Sequence, residues 1–294
     1  MNETHLSPQV KKQVLKMQKN ELNGYLVYNN IANRTKDEKN KEILKRIALE
    51  EKSHADDLEK LTGVKVNANP ITVWLYTIMS IFLGFTFTIK FMERGESGDS
   101  KRYEQLEKEV PEFKQIAKDE ERHERELLDL LDEEILRYVG SMVLGLNDAL
   151  VELTGTLAGL TFALGNNKLV ALSGLITGIS ATFSMASSEY LSAKSEGKQD
   201  ALKSCTYTGL AYLVTVTLLI LPYLLLPSGS ALPAFVIMLF IALFIIFAFN
   251  FYLSVAQELN FKKSFTEMAL ISMGVAALSF VIGLVVKHFL GVEI

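Results

Sequence analysis

The chain has 294 residues, with 30 Lys+Arg against 34 Asp+Glu and a net charge of -4, so it lacks the positive footprint of a nucleic-acid binder. Its lone cysteine, Cys205, excludes an internal disulfide and a thiolate metal cluster. Charge is unevenly spread: residues 1–137 carry 23 of the 30 basic and 26 of the 34 acidic residues, while Ser204 to Gln257 carry none. That uncharged run far exceeds the ~20 residues that cross a bilayer. The chain therefore reads as all-α, with a polar domain over 1–137 and a membrane domain over 138–294. No positively charged segment followed by an apolar one opens the chain, so the first domain is expected to stay in the cytoplasm.

In chain order, a first helix is predicted from about Pro8, a favourable first-turn residue, to the polar stretch Asn33 to Asp37. A second covers Asp37 to Leu61 and stops at Gly63. After a polar crossover, Val64 to Asn69, the uncharged stretch Ile71 to Ile89 is read as helix three, continuing to Glu93 and Glu96. By length it could also be a sixth span, but a crossing would strand those two glutamates away from the other helices. Trp74 and Tyr76 point to a start near the membrane interface, which amphipathic aromatics favour. Helix four is predicted from about Pro111 to Glu134.

Steps of three and four along these helices pick out apolar stripes with polar residues at their middles. One stripe reads Leu44, Ile47, Glu51, His54, Leu58, Leu61 and another Phe113, Ile116, Glu120, His123, Leu127, Leu130. Helix one gives Val10, Val14, Met17, Glu21, Gly24, Tyr28, and helix three gives Phe82, Thr86, Ile89, Glu93, Glu96, Ser100, Tyr103. A Glu or His turned into a core costs several kcal/mol unless it is compensated. A shared metal pair compensates all of them at once. Glu21, Glu51, His54, Glu93, Glu96, Glu120 and His123 are thus the candidate ligands, the set described for ferritin-like di-iron or di-manganese four-helix bundles. Iron is the expected cofactor, with Mn or Zn able to substitute. The adjoining Glu50 and Asp119 are expected to face solvent or to support the ligands.

Five spans are predicted near Tyr138 to Leu164, Leu169 to Tyr190, Cys205 to Leu226, Ala234 to Leu253 and Met268 to Val286, with breaks at Gly165-Asn166-Asn167 and Pro227-Ser228-Gly229. With the N-terminus inside, inner loops carry Lys194, Lys198, Lys203, Lys262 and Lys263 and the outer side only Lys168 and Lys287. This bias predicts N-in, C-out. Gly155 with Gly159, and Gly174 with Gly178, predict close helix packing in a bundle or a dimer. Asp148 and Glu152 lie one turn apart inside the first span, where a carboxylate costs about 2.5–3.5 kcal/mol and must face protein, water or an ion. Asn147 and Thr154 add oxygens on neighbouring faces. Thr177, Ser180, Thr182, Ser184 and Met185 follow in the second span, with Ser187, Ser188 and Glu189 near its inner end. Met185 beside hard oxygens would give a soft donor suited to Fe(II), and Glu189 reads either as a path residue or as an interfacial one.

Two segments carry a likeness to known proteins. Leu146-Asn147-Asp148-Ala149-Leu150-Val151-Glu152 and Ser184-Met185-Ala186-Ser187-Ser188-Glu189-Tyr190-Leu191 resemble the first- and second-span signatures of the vacuolar iron transporter family. The whole chain resembles the rubrerythrin- or ferritin-like fusions to that transporter, of the membrane-bound ferritin type. The resemblance implies a homodimer in the cytoplasmic membrane that exports Fe(II), with Mn(II) as a second cargo, in exchange for protons. It implies a path through Asp148, Glu152 and Met185 with Glu189 at the cytoplasmic mouth. Ala149 stands where the family has Gly, and the Glu-rich metal-binding insert of the plant transporters is missing. The ferritin-like domain would take over capture of the ion, and capture, oxidation and sensing all stay open for it. Two rivals are a membrane-anchored di-iron oxidase, against which the intramembrane carboxylates argue, and a tethered ferritin-type store.

Overall fold

The computed structural model describes residues 6–92, 94, 113–129, 138–198, 200–227 and 229–290, which are all-helical apart from their connectors. The chain divides into two compact units, Met1–Glu133 and Glu134–Ile294.

In the first unit, α1 (Pro8–Ala32) starts where the Ser7 side chain caps the backbone N–H of Val10, and it packs along α2 (Glu38–Thr62). Asp37 caps α2 through the Asn40 N–H at 2.8 Å, and Gly63 ends it with a left-handed φ of 66°, a conformation that glycine adopts without steric cost. α3 (Pro70–Phe82) follows, then α4 (85–92) and α5 (Phe113–Asp129). Apolar residues form two clusters. One joins Val27, Tyr28, Ile31, Leu44, Ile47, Ile89, Met92 and Leu127, and the other joins Val14, Met17, Leu58, Phe113 and Ile116. Along each of α1, α2 and α5 the polar stripe residues fall between members of the two clusters.

Helix three departs from its expected form. Leu83 closes α3 with its N–H on Met79 O at 2.8 Å, and Gly84 takes φ 86°, so one long helix becomes two. The glycine re-aims the apolar face: α3 buries none of its residues and leaves Phe82 exposed, whereas Phe87, Ile89 and Met92 of α4 are buried. Phe82 therefore does not belong to the buried stripe that runs on through Ile89 of α4. With 13 residues α3 rises about 20 Å, short of the ~30 Å hydrocarbon core, which removes the sixth span as an alternative.

Among its described residues the second unit holds five helices long and apolar enough to cross a membrane: α6 (Val139–Leu164), α7 (Asn167–Ser195), α8 (Ala201–Leu225), α9 (Ala231–Ala256) and α10 (Phe261–Leu290). All but the first reach past the apolar stretches that located them, and at α7 and α10 a capping asparagine sets the start. Asn166, for instance, accepts from the N–H groups of Lys168 and Leu169. Asn167 then fixes the next loop, donating to Leu226 O and Pro227 O and accepting from the Gly229 N–H. α6 lies at the centre, against α7, α8, α9 and α10. The glycine pairs serve contacts within this bundle: a Cβ on Gly155 would stand 2.9 Å from Val275, and one on Gly174 2.7 Å from Leu157. The outer surface exposes Leu172, Ile176, Phe183, Phe240 and Phe244, an apolar covering suited to lipid.

Candidate functional site

Five of the seven expected ligands of the first unit come together, and Glu93 and Glu96 lie outside the described residues. Glu21, Glu51, His54 and His123 are buried. His54 Nδ1 stands 3.4 Å from Glu21 Oε2 and 3.5 Å from Glu120 Oε1. His123 Nδ1 stands 3.3 Å from Glu51 Oε1 and 3.9 Å from Glu120 Oε1. The groups form two triads, Glu21 with His54 and Glu120, and Glu51 with Glu120 and His123, each with its donor atoms within 4.8 Å of one another. Glu120 is shared by both. His54 Nδ1, Glu120 Oε1 and His123 Nδ1 are buried without a hydrogen bond of normal geometry. Buried donors and acceptors are rarely left so, since each costs about 1–3 kcal/mol. Imidazole nitrogens and carboxylates aimed into one space fit a pair of divalent ions such as Fe(II) or Mn(II).

The electrostatics agree with that fit. Burial alone would lower the pKa of His54, but the Glu120 and Glu21 carboxylates beside it more than reverse this and raise it to about 10. Burial pushes Glu120 up, and the neighbouring histidines only partly offset it. The two acidic neighbours turn out to be supports, arranged crosswise. His123 Nε2 meets Glu50 Oε2 at 2.6 Å, and His54 Nε2 meets Asp119 Oδ2 at 3.4 Å. Arg122 Nη2 ties the two carboxylates together, at 3.0 Å from Glu50 and 2.9 Å from Asp119. Partners on Nε2 hold each ring so that Nδ1 points inward, the usual way a ligating histidine is oriented. Despite its burial, Asp119 is held below the ordinary carboxylate range by hydrogen bonds from Gln115 and His54 and by the Arg122 charge.

Gly24 has a role that the stripe on α1 does not disclose. A Cβ there would stand 2.9 Å from Glu51 Oε2, so the missing side chain makes room for this carboxylate. Gly24→Ala is expected to strengthen α1 by about 0.8–1 kcal/mol through helix propensity while displacing Glu51. The predicted outcome is a melting temperature that holds or rises together with a lower metal content, read by elemental analysis.

In the second unit, Asp148 and Glu152 of α6 share an open groove of about 580 Å³ with Thr177, Ser180, Ser184, Met185 and Ser188 of α7. Thr182 does not line it; its hydroxyl donates to its own helix at Gly178 O, 2.7 Å away. Asn147 and Thr154 are also absent from the lining, and Thr154 donates to Leu150 O. Glu189 stands apart from the lining, accepting from Ser141 Oγ at 2.9 Å. A further residue enters from α8: buried Tyr212 donates from its hydroxyl to Glu152 Oε2 at 2.7 Å, fixing one carboxylate oxygen and leaving the other for the groove.

Residues 139–200 match the VIT (vacuolar iron transporter) family. The match spans α6 and α7 and includes every residue that lines the groove, whereas Tyr212 lies outside it. No curated protein matches the chain. The VIT match and the five apolar helices support a membrane protein that transports a metal, with iron or manganese as the cargo class.

Proposed function

We propose that the protein exports Fe(II), with Mn(II) as a second cargo, from the cytoplasm by proton antiport. The carrying observation is the juxtaposition of Asp148, Glu152, Met185 and the α7 hydroxyls in one groove between two helices long and apolar enough to cross a membrane. Carboxylates and hydroxyls replace water around a divalent ion, and the thioether adds preference for a borderline metal over Mg(II) or Ca(II). A carboxylate between helices is costly as a bare charge, and either a metal ion or a proton relieves that cost. This gives one set of groups two alternative occupants, metal or proton, as exchange requires.

The first unit, in this reading, is a ferritin-like di-metal domain that captures the ion on the cytoplasmic side. A bound iron pair would supply one-electron redox chemistry there. The protein's part is to hold the five described ligands and to release the His54 proton as metal enters. The groove argues against a mere anchor, since an anchor has no use for polar groups inside its spans. The test is Fe(II) uptake into inverted membrane vesicles containing a pH-sensitive dye. Metal should accumulate and the lumen should lose protons; uptake without a pH change would exclude proton antiport.

Orientation has its own check. With the N-terminus inside, the lysine bias puts Cys205, one turn into α8, at the cytoplasmic end. An impermeant maleimide should label it in inverted vesicles and not in intact cells, and equal labelling would overturn the N-in arrangement.

A further inference from the structure

We propose that α3 lies flat in the membrane interface and seats the first unit on the bilayer. The helix is turned apolar side out. Val73 and Tyr76 pack inward on the cluster around Val27 and Leu44. Asn30 Nδ2 donates to Thr77 Oγ1 at 3.1 Å, and Asn23 Oδ1 accepts the Asn69 N–H at 2.8 Å, which fixes the helix on α1. Ile71, Trp74, Leu75, Ile81 and Phe82 point the other way and are 47–77 % exposed. At 100° per residue these five positions fall within an arc of ~120°, so they form one continuous stripe. A stripe of this kind on a polar unit marks a surface that something covers.

The chain itself supplies the cover. Among the described residues five helices are fit to cross a membrane, and nine residues lie between the end of α5 at Asp129 and the start of α6 at Val139. The ten Cα-to-Cα steps that join them reach at most ~36 Å, so a bilayer that α6 enters is always available to the first unit, an intramolecular encounter at high effective concentration. Too short to cross, α3 has the form of a helix that sinks its apolar face ~5–10 Å into the headgroup boundary, with a tryptophan on that face as interfacial helices favour. The seat would hold the capture site beside the bilayer through which its cargo leaves. The inference rests on the membrane setting of α6 to α10 and not on the identity of the cargo.

Trp74 is the chain's sole tryptophan, which makes the test direct on the full chain reconstituted in phosphatidylcholine vesicles. Its emission should be blue-shifted, should be quenched when the lipid carries bromine near the headgroup, and should resist iodide on both sides of the bilayer. Moving the reporter with Trp74→Phe and Phe82→Trp should give the same shallow depth at the other end of the helix. Quenching by iodide and not by bromolipid would overturn the proposal, leaving the stripe in water. Resistance to both would also overturn it, pointing to a second copy or another part of the chain as the cover. A shallow Trp74 with a deep Phe82→Trp reporter would overturn the flat orientation. A chain that fails to enter vesicles at all would instead defeat the membrane setting, a separate outcome.

Discussion

The double variant Glu51→Ala, Glu120→Ala is expected to purify folded and essentially without metal in its first unit, against two ions expected per native chain. Glu120 is common to both triads and Glu51 completes the second, so the pair leaves each site with two or fewer of its described donors. The metal-free fold should tolerate the change. Both residues lie on helices, where alanine is the better former, which offsets part of what is lost with their contacts to His54 and His123. Loss should be read as ions per chain by elemental analysis at matched helicity, and unchanged metal content would sink the ligand assignment. Loading should also depend on pH. His54 keeps its proton up to about pH 10 without metal, so an entering ion must displace it. Apparent affinity then falls by about tenfold for each unit that pH drops, per proton displaced. In the metal-free unit the same raised pKa stabilises the fold fully below about pH 6.5, and that contribution is lost as pH rises through about 10.

The radial position of a side chain on a helix follows from its spacing alone, which is why Glu21, Glu51, His54, Glu120 and His123 group together in the amino-acid sequence. Apolar residues on both sides along each stripe leave no other face for them. Asp148, Glu152 and Met185 are legible for a related reason, since charge and sulfur stand out against an uncharged span. What spacing does not convey is direction and distance in the chain. Hydropathy gives α3 an apolar stripe but does not say whether that stripe faces α1 or the outside; the break at Gly84 and the polar contacts of Asn23 and Asn30 decide it. Tyr212 joins Glu152 across 60 residues, and a tyrosine inside an apolar run leaves no periodic trace. Gly24 is visible in the sequence only as a small residue in a stripe, because what a missing side chain makes room for is set by the partner helix. Glu50 and Asp119 do have a signal: each directly precedes the Glu of its Glu-x-x-His, one turn from the histidine it does not serve and across from the one it does.

Asp148→Asn is expected to abolish metal flux while sparing both the fold and the loading of the first unit. The substitution keeps size and shape and removes only the charge, and in an apolar bundle an amide is cheaper to bury than a carboxylate, so expression and membrane insertion should match the native chain. The groove, however, would keep a single carboxylate, Glu152, one of whose oxygens is already engaged by Tyr212. An amide oxygen offers the ion no compensating charge and takes up no proton near neutrality, so both occupants of the exchange lose their site. A loss of ~1.4 kcal/mol of ion stabilisation already costs about tenfold, and removal of a full charge in this setting should exceed that. Met185→Ala should act differently: Fe(II) flux persists at a lower level while discrimination against Mg(II) and Ca(II) weakens, because the oxygen donors remain and only the soft one is lost. Flux of Fe(II) into inverted vesicles at matched protein levels, with first-unit metal content measured on the same preparations, separates these outcomes. Native flux in Asp148→Asn would remove this residue from the path and return the five helices to the role of an anchor.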